Sequence, residues 1–100
     1  MAGYLVNRFD ITDRELFTQY TVAVMPIIAD HGGEILFAND APKGLEGPEP
    51  GMSVVIGFPS EAAAMGFYDS PEYQPVKELR LMSTTNWNAI VSAGGISVAA

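Results

Sequence analysis

The sequence predicts an α+β fold in which helices cover one face of a four-stranded antiparallel sheet. Four short segments rich in β-branched and aromatic residues alternate with helical regions, in the order strand, helix, strand, strand, helix, strand. With right-handed crossovers, this order predicts a ferredoxin-like βαββαβ sandwich. A chain of 100 residues has room for one hydrophobic core, so we expect a single domain over residues 1–100.

The first strand and the first helix occupy the amino-terminal third of the chain. Residues 3–9 (GYLVNRF) have the composition of a strand, and Thr12 followed by Glu15 predicts a capping box. Apolar side chains then recur at three- and four-residue steps over residues 13–30, which indicates a helix with one apolar face. Pro26 is expected to kink or divide this helix, because proline lacks a backbone donor and clashes with the preceding turn.

A long loop separates the second and third strands. The first helix is expected to end at residues 31–33 (HGG), and residues 34–39 (EILFAN) follow as the second strand. Residues 40–51 contain three prolines and three glycines without periodicity, which is typical of a lid or binding loop. Residues 52–58 (MSVVIGF) then alternate as the third strand.

The second helical region is predicted in two parts. Ser60 is placed to cap a helix of high propensity, and Pro71 suits the first turn of a further segment over residues 71–81. Residues 86–92 (NWNAIVS) are predicted as the fourth strand. Residues 94–100 form a tail that is either disordered or an edge strand in a partner subunit.

The composition excludes several classes of protein. Twelve acidic and five basic residues give a net charge of −7, which disfavours nucleic acid and anionic membranes as partners. The chain has no cysteine and one histidine, so we expect no metal site and no cofactor. No apolar stretch has the length of a signal-peptide core or a membrane span, which predicts a cytoplasmic protein.

One face of the predicted sheet is left without a cover. Both helices lie on the opposite face, while the free face remains partly apolar. Exposed apolar faces of this kind are usually covered by a partner, and two copies packed sheet against sheet would cover both. The sequence therefore predicts a homodimer, a dimeric α+β barrel.

Several motifs, spread over the chain to about residue 93, resemble one family. These motifs are His31-Gly32-Gly33, Glu46-Gly47, Val54-Val55-Ile56-Gly57-Phe58-Pro59-Ser60, Tyr68-Asp69-Ser70-Pro71-Glu72-Tyr73-Gln74, Lys77 and Arg80. In this combination the chain resembles the domain-of-unknown-function 1330 family, which the resemblance places in the dimeric α+β barrel superfamily. The wider superfamily is implied to include cofactor-independent monooxygenases, muconolactone isomerase-like enzymes, polyketide cyclases and haem-binding proteins.

Two positions depart from what the resemblance implies. In family members the third strand typically opens with an arginine and carries a glutamate before the phenylalanine. This chain has Met52 and Gly57 at those places. A pocket is therefore expected to be more apolar here than in relatives.

Two residues are candidates for catalysis. His31 is the only side chain with an ordinary pKa near neutrality, so it is a candidate general base; the alternative is a role at the helix C-terminus. Tyr73 is a candidate to orient a substrate or relay a proton, and the alternative is a packed ring with its hydroxyl in water. Lys77 and Arg80 share a helical face, which is expected to be solvated or to contact a partner subunit.

Four residues are candidates for substrate binding. Tyr20 lies on the apolar stripe of the first helix, and Phe58 and Trp87 are expected to supply apolar walls. Asn39 ends the second strand, and Asn7 lies within the first. Because buried polar groups need partners, these two asparagines bind a ligand, pair with each other or bind water.

Two functions are compatible with this sequence. The first is a cofactor-independent isomerase, cyclase or monooxygenase that acts on a small apolar or aromatic metabolite, bound between sheet and helices under the 40–51 loop. The second is a non-catalytic homodimer that binds a small ligand or supports another protein. An internal cavity lined by Tyr20 or His31 favours the first function.

Overall fold

The helices and strands follow the predicted order. The structure is a computed structural model that describes residues 2–49 and 51–94. Its elements are β1 (Gly3–Ile11), α1 (Arg14–Asp30), β2 (Glu34–Asn39), β3 (Met52–Phe58), α2 (Glu61–Tyr68), α3 (Tyr73–Ser83) and β4 (Thr84–Ser92). The strands form one antiparallel sheet in the order β2-β3-β1-β4. This confirms the ferredoxin-like sandwich, whereas the predicted tail lies outside the described residues apart from Gly94.

The ends of α1 differ from the prediction in two details. Asp13, not Thr12, caps the helix, because its carboxylate accepts a hydrogen bond from the amide of Leu16 at 3.1 Å. Pro26 lies inside a continuous helix and does not divide it. The carbonyl that Pro26 leaves without its helical donor belongs to Val22, whose residue is exposed, so water can satisfy it.

The junction between α2 and α3 also differs from the prediction. The Ser60 side chain caps α2 as expected, accepting from the amide of Ala63 at 3.0 Å. Pro71 lies in a turn, and α3 begins two residues later, at Tyr73. The hydroxyl of Ser70 donates back to the carbonyl of Phe67 at 2.8 Å, so it completes the end of α2 and does not cap α3.

The helix-facing side of the sheet carries the core. In β1, Leu5, Asn7 and Phe9 are buried, and they pair with Ile56, Val54 and Met52 of β3. Because side chains alternate across a strand, these six residues share one face of the sheet. Asn7 is the one amide among them, in the middle of an apolar surface.

The outer face of the sheet is apolar and exposed. Val6 pairs with Ile90, and Phe37 pairs with Val55 on the same face. A bulge in β2 brings Leu36 to this face as well, since Leu36 is the side chain that a Cβ at Gly57 would meet. Leu36, Phe37 and Ile90 are all more than 40% exposed. The predicted second copy would cover this surface.

None of the helices in the described segments combines the length and the apolar character that a transmembrane span requires.

Candidate functional site

A cavity of about 160 Å³ lies between α1 and the β1–β3–β2 part of the sheet. Most of its wall is apolar: Phe9, Phe17, Val24, Met25, Ile28, Ile35, Ala38, Met52, Val54 and Ile56. The polar groups in the wall are Asn7, Tyr20 and Thr21. Apolar cavities of about 150 Å³ stay dry and hold one benzene-sized ring, so the volume suits a single-ring compound.

Asn7 lines this cavity and carries an unsatisfied acceptor. Its residue is 4% exposed, and its Oδ1 has no hydrogen-bond partner among the described residues. Leaving such a group unpaired costs about 1–3 kcal/mol. Asn7 does not pair with Asn39, whose side-chain oxygen accepts from the amide of Ala41 at 2.9 Å in an exposed turn.

Two tyrosines from different helices meet at one end of the cavity. The hydroxyls of Tyr20 on α1 and Tyr73 on α3 lie 3.0 Å apart and form a buried hydrogen bond. Tyr20 lines the cavity, whereas Tyr73 is fully buried behind it and stacks on Phe67 with ring centroids 4.5 Å apart. The expectation that the Tyr73 hydroxyl is in water is therefore wrong. The observed partner of its hydroxyl is Tyr20.

Arg80 lies beside this tyrosine pair in the interior. The residue is only 2% exposed, and its guanidinium carbon is 5.8 Å from the centre of the Phe9 ring. Burial lowers the pKa of Arg80, but the neighbouring phenols, Tyr73 before Tyr20, outweigh it and raise the pKa overall. Arg80 therefore stays charged, and the expectation that it lies on a solvated or partner-contacting face is wrong.

A helical pattern in the sequence marks the buried face of α3. Tyr73, Arg80 and Ser83 are buried, and Val76 packs against the core. Their spacing of three and four residues is that of one helical face. Lys77 lies beside this face with its ammonium 4.9 Å from the Tyr68 ring. The spacing from Tyr73 along this face predicts that Arg80 is buried, whereas its spacing from Lys77 suggested an exposed basic face.

The Tyr20 hydroxyl is strongly perturbed. Burial raises the pKa of Tyr20, and the neighbouring Tyr73 and the hydrogen bond between the two phenols raise it further, while Arg80 opposes them. The phenol is thus neutral at physiological pH. It remains able to donate a hydrogen bond.

We expect the stability of the protein to fall in alkaline solution because of Tyr20. Above pH about 10 the unfolded chain loses the Tyr20 proton, whereas the folded protein keeps it. The folded state then binds more protons, so the free energy of unfolding decreases by up to about 1.4 kcal/mol per pH unit. Urea unfolding at pH values from about 9 to about 11, on either side of the ordinary pKa of a tyrosine, measures this slope. Tyr20→Phe should reduce it and Tyr4→Phe should not; equal slopes in both variants would contradict the assignment.

Besides Asn39, three predicted site residues lie apart from the cavity and the tyrosine pair. The His31 ring donates from Nδ1 to the carbonyl of Ile27 at 2.9 Å, and Nε2 is 3.6 Å from a Glu72 oxygen. Phe58 is part of the core and packs on Phe67. Trp87 is exposed and donates from its indole nitrogen to the hydroxyl of Thr84 at 2.8 Å. The structure thus brings Tyr20 and Tyr73 together and leaves His31, Asn39, Phe58 and Trp87 apart from them.

The 40–51 loop contributes no described residue to the wall of the cavity. Asp40 at its start forms an exposed ion pair with Arg14, with nitrogen and oxygen 3.0 Å apart. The described segments also contain no group of three or more His, Cys, Asp or Glu side chains arranged to hold a metal ion. The polar residues in the wall of the cavity are therefore Asn7, Tyr20 and Thr21, with Tyr73 and Arg80 behind Tyr20.

Comparison with solved structures gives the same fold. A protein of unknown function from Rhodopseudomonas palustris matches at TM-score 0.79 and 16% identity, over 96% of this chain and 84% of that one. A dimeric ferredoxin-like protein of unknown function from Thermobifida fusca matches at TM-score 0.64 and 16% identity, covering 93% and 91% of the two chains. A candidate antibiotic biosynthesis monooxygenase from Bacteroides thetaiotaomicron matches at TM-score 0.57 and 20% identity, covering 95% and 90%.

Sequence comparison identifies a family, whereas the structural matches show only the fold. No curated protein matches the chain at a significant level. The model of one family, the domain of unknown function DUF1330, matches residues 2–94. Because that match covers nearly the whole chain, the protein belongs to the DUF1330 family.

Proposed function

We propose that the protein is a cytoplasmic, cofactor-independent enzyme of the isomerase, cyclase or monooxygenase type that acts on a small aromatic or apolar metabolite. The observation that carries this proposal is the α1 cavity, which is apolar except for a few polar groups. Ligand sites commonly combine an apolar wall with a small number of placed polar groups. The likeness in fold to a candidate antibiotic biosynthesis monooxygenase agrees with this class of substrate.

The polar groups of the cavity suit a reaction in which negative charge develops on oxygen. Tyr20 is a neutral donor, and Tyr73 holds its hydroxyl in place. A donor placed against a developing oxyanion stabilises the transition state more strongly than the ground state. His31 has no role in this proposal, since both ring nitrogens face groups outside the cavity.

A second function, a non-catalytic binder of a small ligand, is favoured by one observation. None of the described residues that line the cavity is a histidine or a carboxylate. A general base normally comes from those side chains. Substrates of the proposed enzyme must therefore carry an acidic or electron-rich centre of their own, and a ligand without one would only bind.

A two-step experiment tests the proposal. Single-ring aromatic compounds are first screened by thermal shift; a ligand at a hundred times its Kd should raise Tm by on the order of 10 °C. Compounds that bind are then incubated with the protein in air and their products identified by mass spectrometry. Binding with turnover supports the enzyme, and binding without turnover supports the second function. If no single-ring compound binds, both are wrong.

We also propose that the protein is a homodimer joined through the outer faces of its sheets. Leu36, Phe37 and Ile90 form an exposed apolar surface there, and the related Thermobifida fusca protein is dimeric. Ile90→Glu should yield monomers in sedimentation velocity at micromolar concentration, because a buried unpaired carboxylate opposes association. Val22→Glu places the same charge on the exposed side of α1 and should leave the dimer intact. A wild-type monomer would refute the proposed homodimer.

A further inference from the structure

Among the described residues, the interior contains one positive charge for which no negative partner is seen. Arg80 is 2% exposed, and its Nε has no hydrogen-bond partner among the described residues. The ion pairs of the described chain join Arg14 to Asp40 and His31 to Glu72, so neither involves Arg80. Burying an unpaired charge is costly, and proteins normally pair such a group with an anion.

This charge lies directly behind one end of the cavity. The guanidinium stands over the ring of Phe9, and it interacts with the phenols of Tyr20 and Tyr73. Phe9 and Tyr20 are themselves part of the cavity wall. In a medium of low dielectric constant, the positive potential of Arg80 therefore extends into the cavity at the Tyr20 end.

A second polar residue of the cavity wall, Asn7, has the opposite preference. It carries an unpaired carbonyl oxygen, whose partial negative charge attracts a donor and repels an anion. The two groups thus make the cavity electrically asymmetric. An anionic oxygen is favoured beside Tyr20 and Arg80, and disfavoured beside Asn7.

We infer that the ligand of this cavity is a single-ring phenol or enol bound as its anion, with the negative oxygen beside the Tyr20 hydroxyl and its charge balanced by Arg80. This inference rests on the proposed α1 ligand cavity and specifies its substrate class. It also supplies what the cavity wall lacks, because an acidic phenol or enol is already ionised when it binds and needs no protein base. Tyr20 contacts the oxygen, whereas Arg80 acts from behind it as a positioning residue.

The test compares two fluorinated rings of similar size. Pentafluorophenol is ionised at neutral pH and pentafluorobenzene is uncharged, and fluorine NMR measures the Kd of each. The wild type should bind the phenolate about 10- to 100-fold more tightly, the range of a hydrogen bond to a charged group. Arg80→Met should lose this preference, Arg80→Lys should retain part of it, and Arg14→Met, an exposed arginine, should keep all of it. Tyr20→Phe should also reduce the preference, and it serves as the second variant if Arg80→Met does not fold.

The ratio of the affinities for pentafluorophenol and pentafluorobenzene tests the anionic ligand separately from the proposed ligand cavity. Equal affinities of the wild type for both rings would overturn the anionic ligand while leaving the cavity as a binding site. A preference that survives in both Arg80→Met and Tyr20→Phe would also overturn it. If the wild type binds neither ring, the proposed function falls together with the inference.

Discussion

Replacement of Val24 by phenylalanine is expected to abolish ligand binding while the protein remains folded. Val24 is 4% exposed on α1, and its side chain forms part of the cavity wall. A phenyl ring at this position would occupy the space of the proposed ligand. Overpacking a core usually costs about 1–3 kcal/mol, and the empty volume at this site absorbs part of that cost. Thermal-shift titration with pentafluorophenol measures the loss.

Val22 provides a matched control on the same helix. It is 72% exposed, two residues from Val24, and Val22→Phe adds the same ring to the surface of the protein. This variant should bind like the wild type. If Val24→Phe retains wild-type affinity, the ligand binds outside the α1 cavity and the proposed site is wrong.

Replacement of Phe67 by alanine is expected to produce the largest loss of stability among these variants. Phe67 is 1% exposed. Its ring packs against the tilted rings of Phe58 and Tyr73, with ring centroids 5.5 Å and 4.5 Å apart respectively. Removing a buried phenylalanine costs about 3–5 kcal/mol through lost burial and the cavity left behind. Domains of this size are stable by about 5–15 kcal/mol, so urea unfolding should show a much lower midpoint.

Met65 on the same helix supplies the comparison. It is 36% exposed, and Met65→Ala should change the free energy of unfolding by about 1 kcal/mol or less. Phe67 also supports the ring of Tyr73, so the milder Phe67→Leu should weaken phenolate binding through a looser Tyr20–Tyr73 contact. Similar losses of stability in Phe67→Ala and Met65→Ala would contradict the central place of Phe67 in the core.

Local patterns explain why much of the fold could be predicted. Period-two alternation in residues 52–58 and helical spacing in residues 14–30 are properties of neighbouring residues. The prediction was wrong where two local signals competed. Thr12 and Asp13 are both good caps, and the amides of both donate to the carbonyl of Ser83, a contact between distant parts of the chain. With the chain held there, the Asp13 carboxylate is the one that accepts from the amide of Leu16.

The candidate site could be predicted only in part. Asn7 was recognised as a polar residue that an apolar sheet does not explain, and Tyr20 as a pocket wall. The contact of Tyr20 with Tyr73 joins residues 53 positions apart, so no local pattern indicates it. The burial of Arg80 follows from the same contact, because α3 turns the face with Tyr73 and Arg80 toward α1 and β1.

By itself, the sequence determined the order of the elements, the apolar faces of its helices and strands, and membership of the DUF1330 family. These depend on residue spacing and motif, which are local. Only the tertiary structure decided that the space between α1 and the sheet is a cavity, that the Oδ1 of Asn7 in its wall has no partner among the described residues, and that Arg80 is buried beside Tyr20. The physical reason is that cavity shape and the environment of a charge depend on how distant elements pack, and a charged residue is read from sequence as exposed until that packing is known.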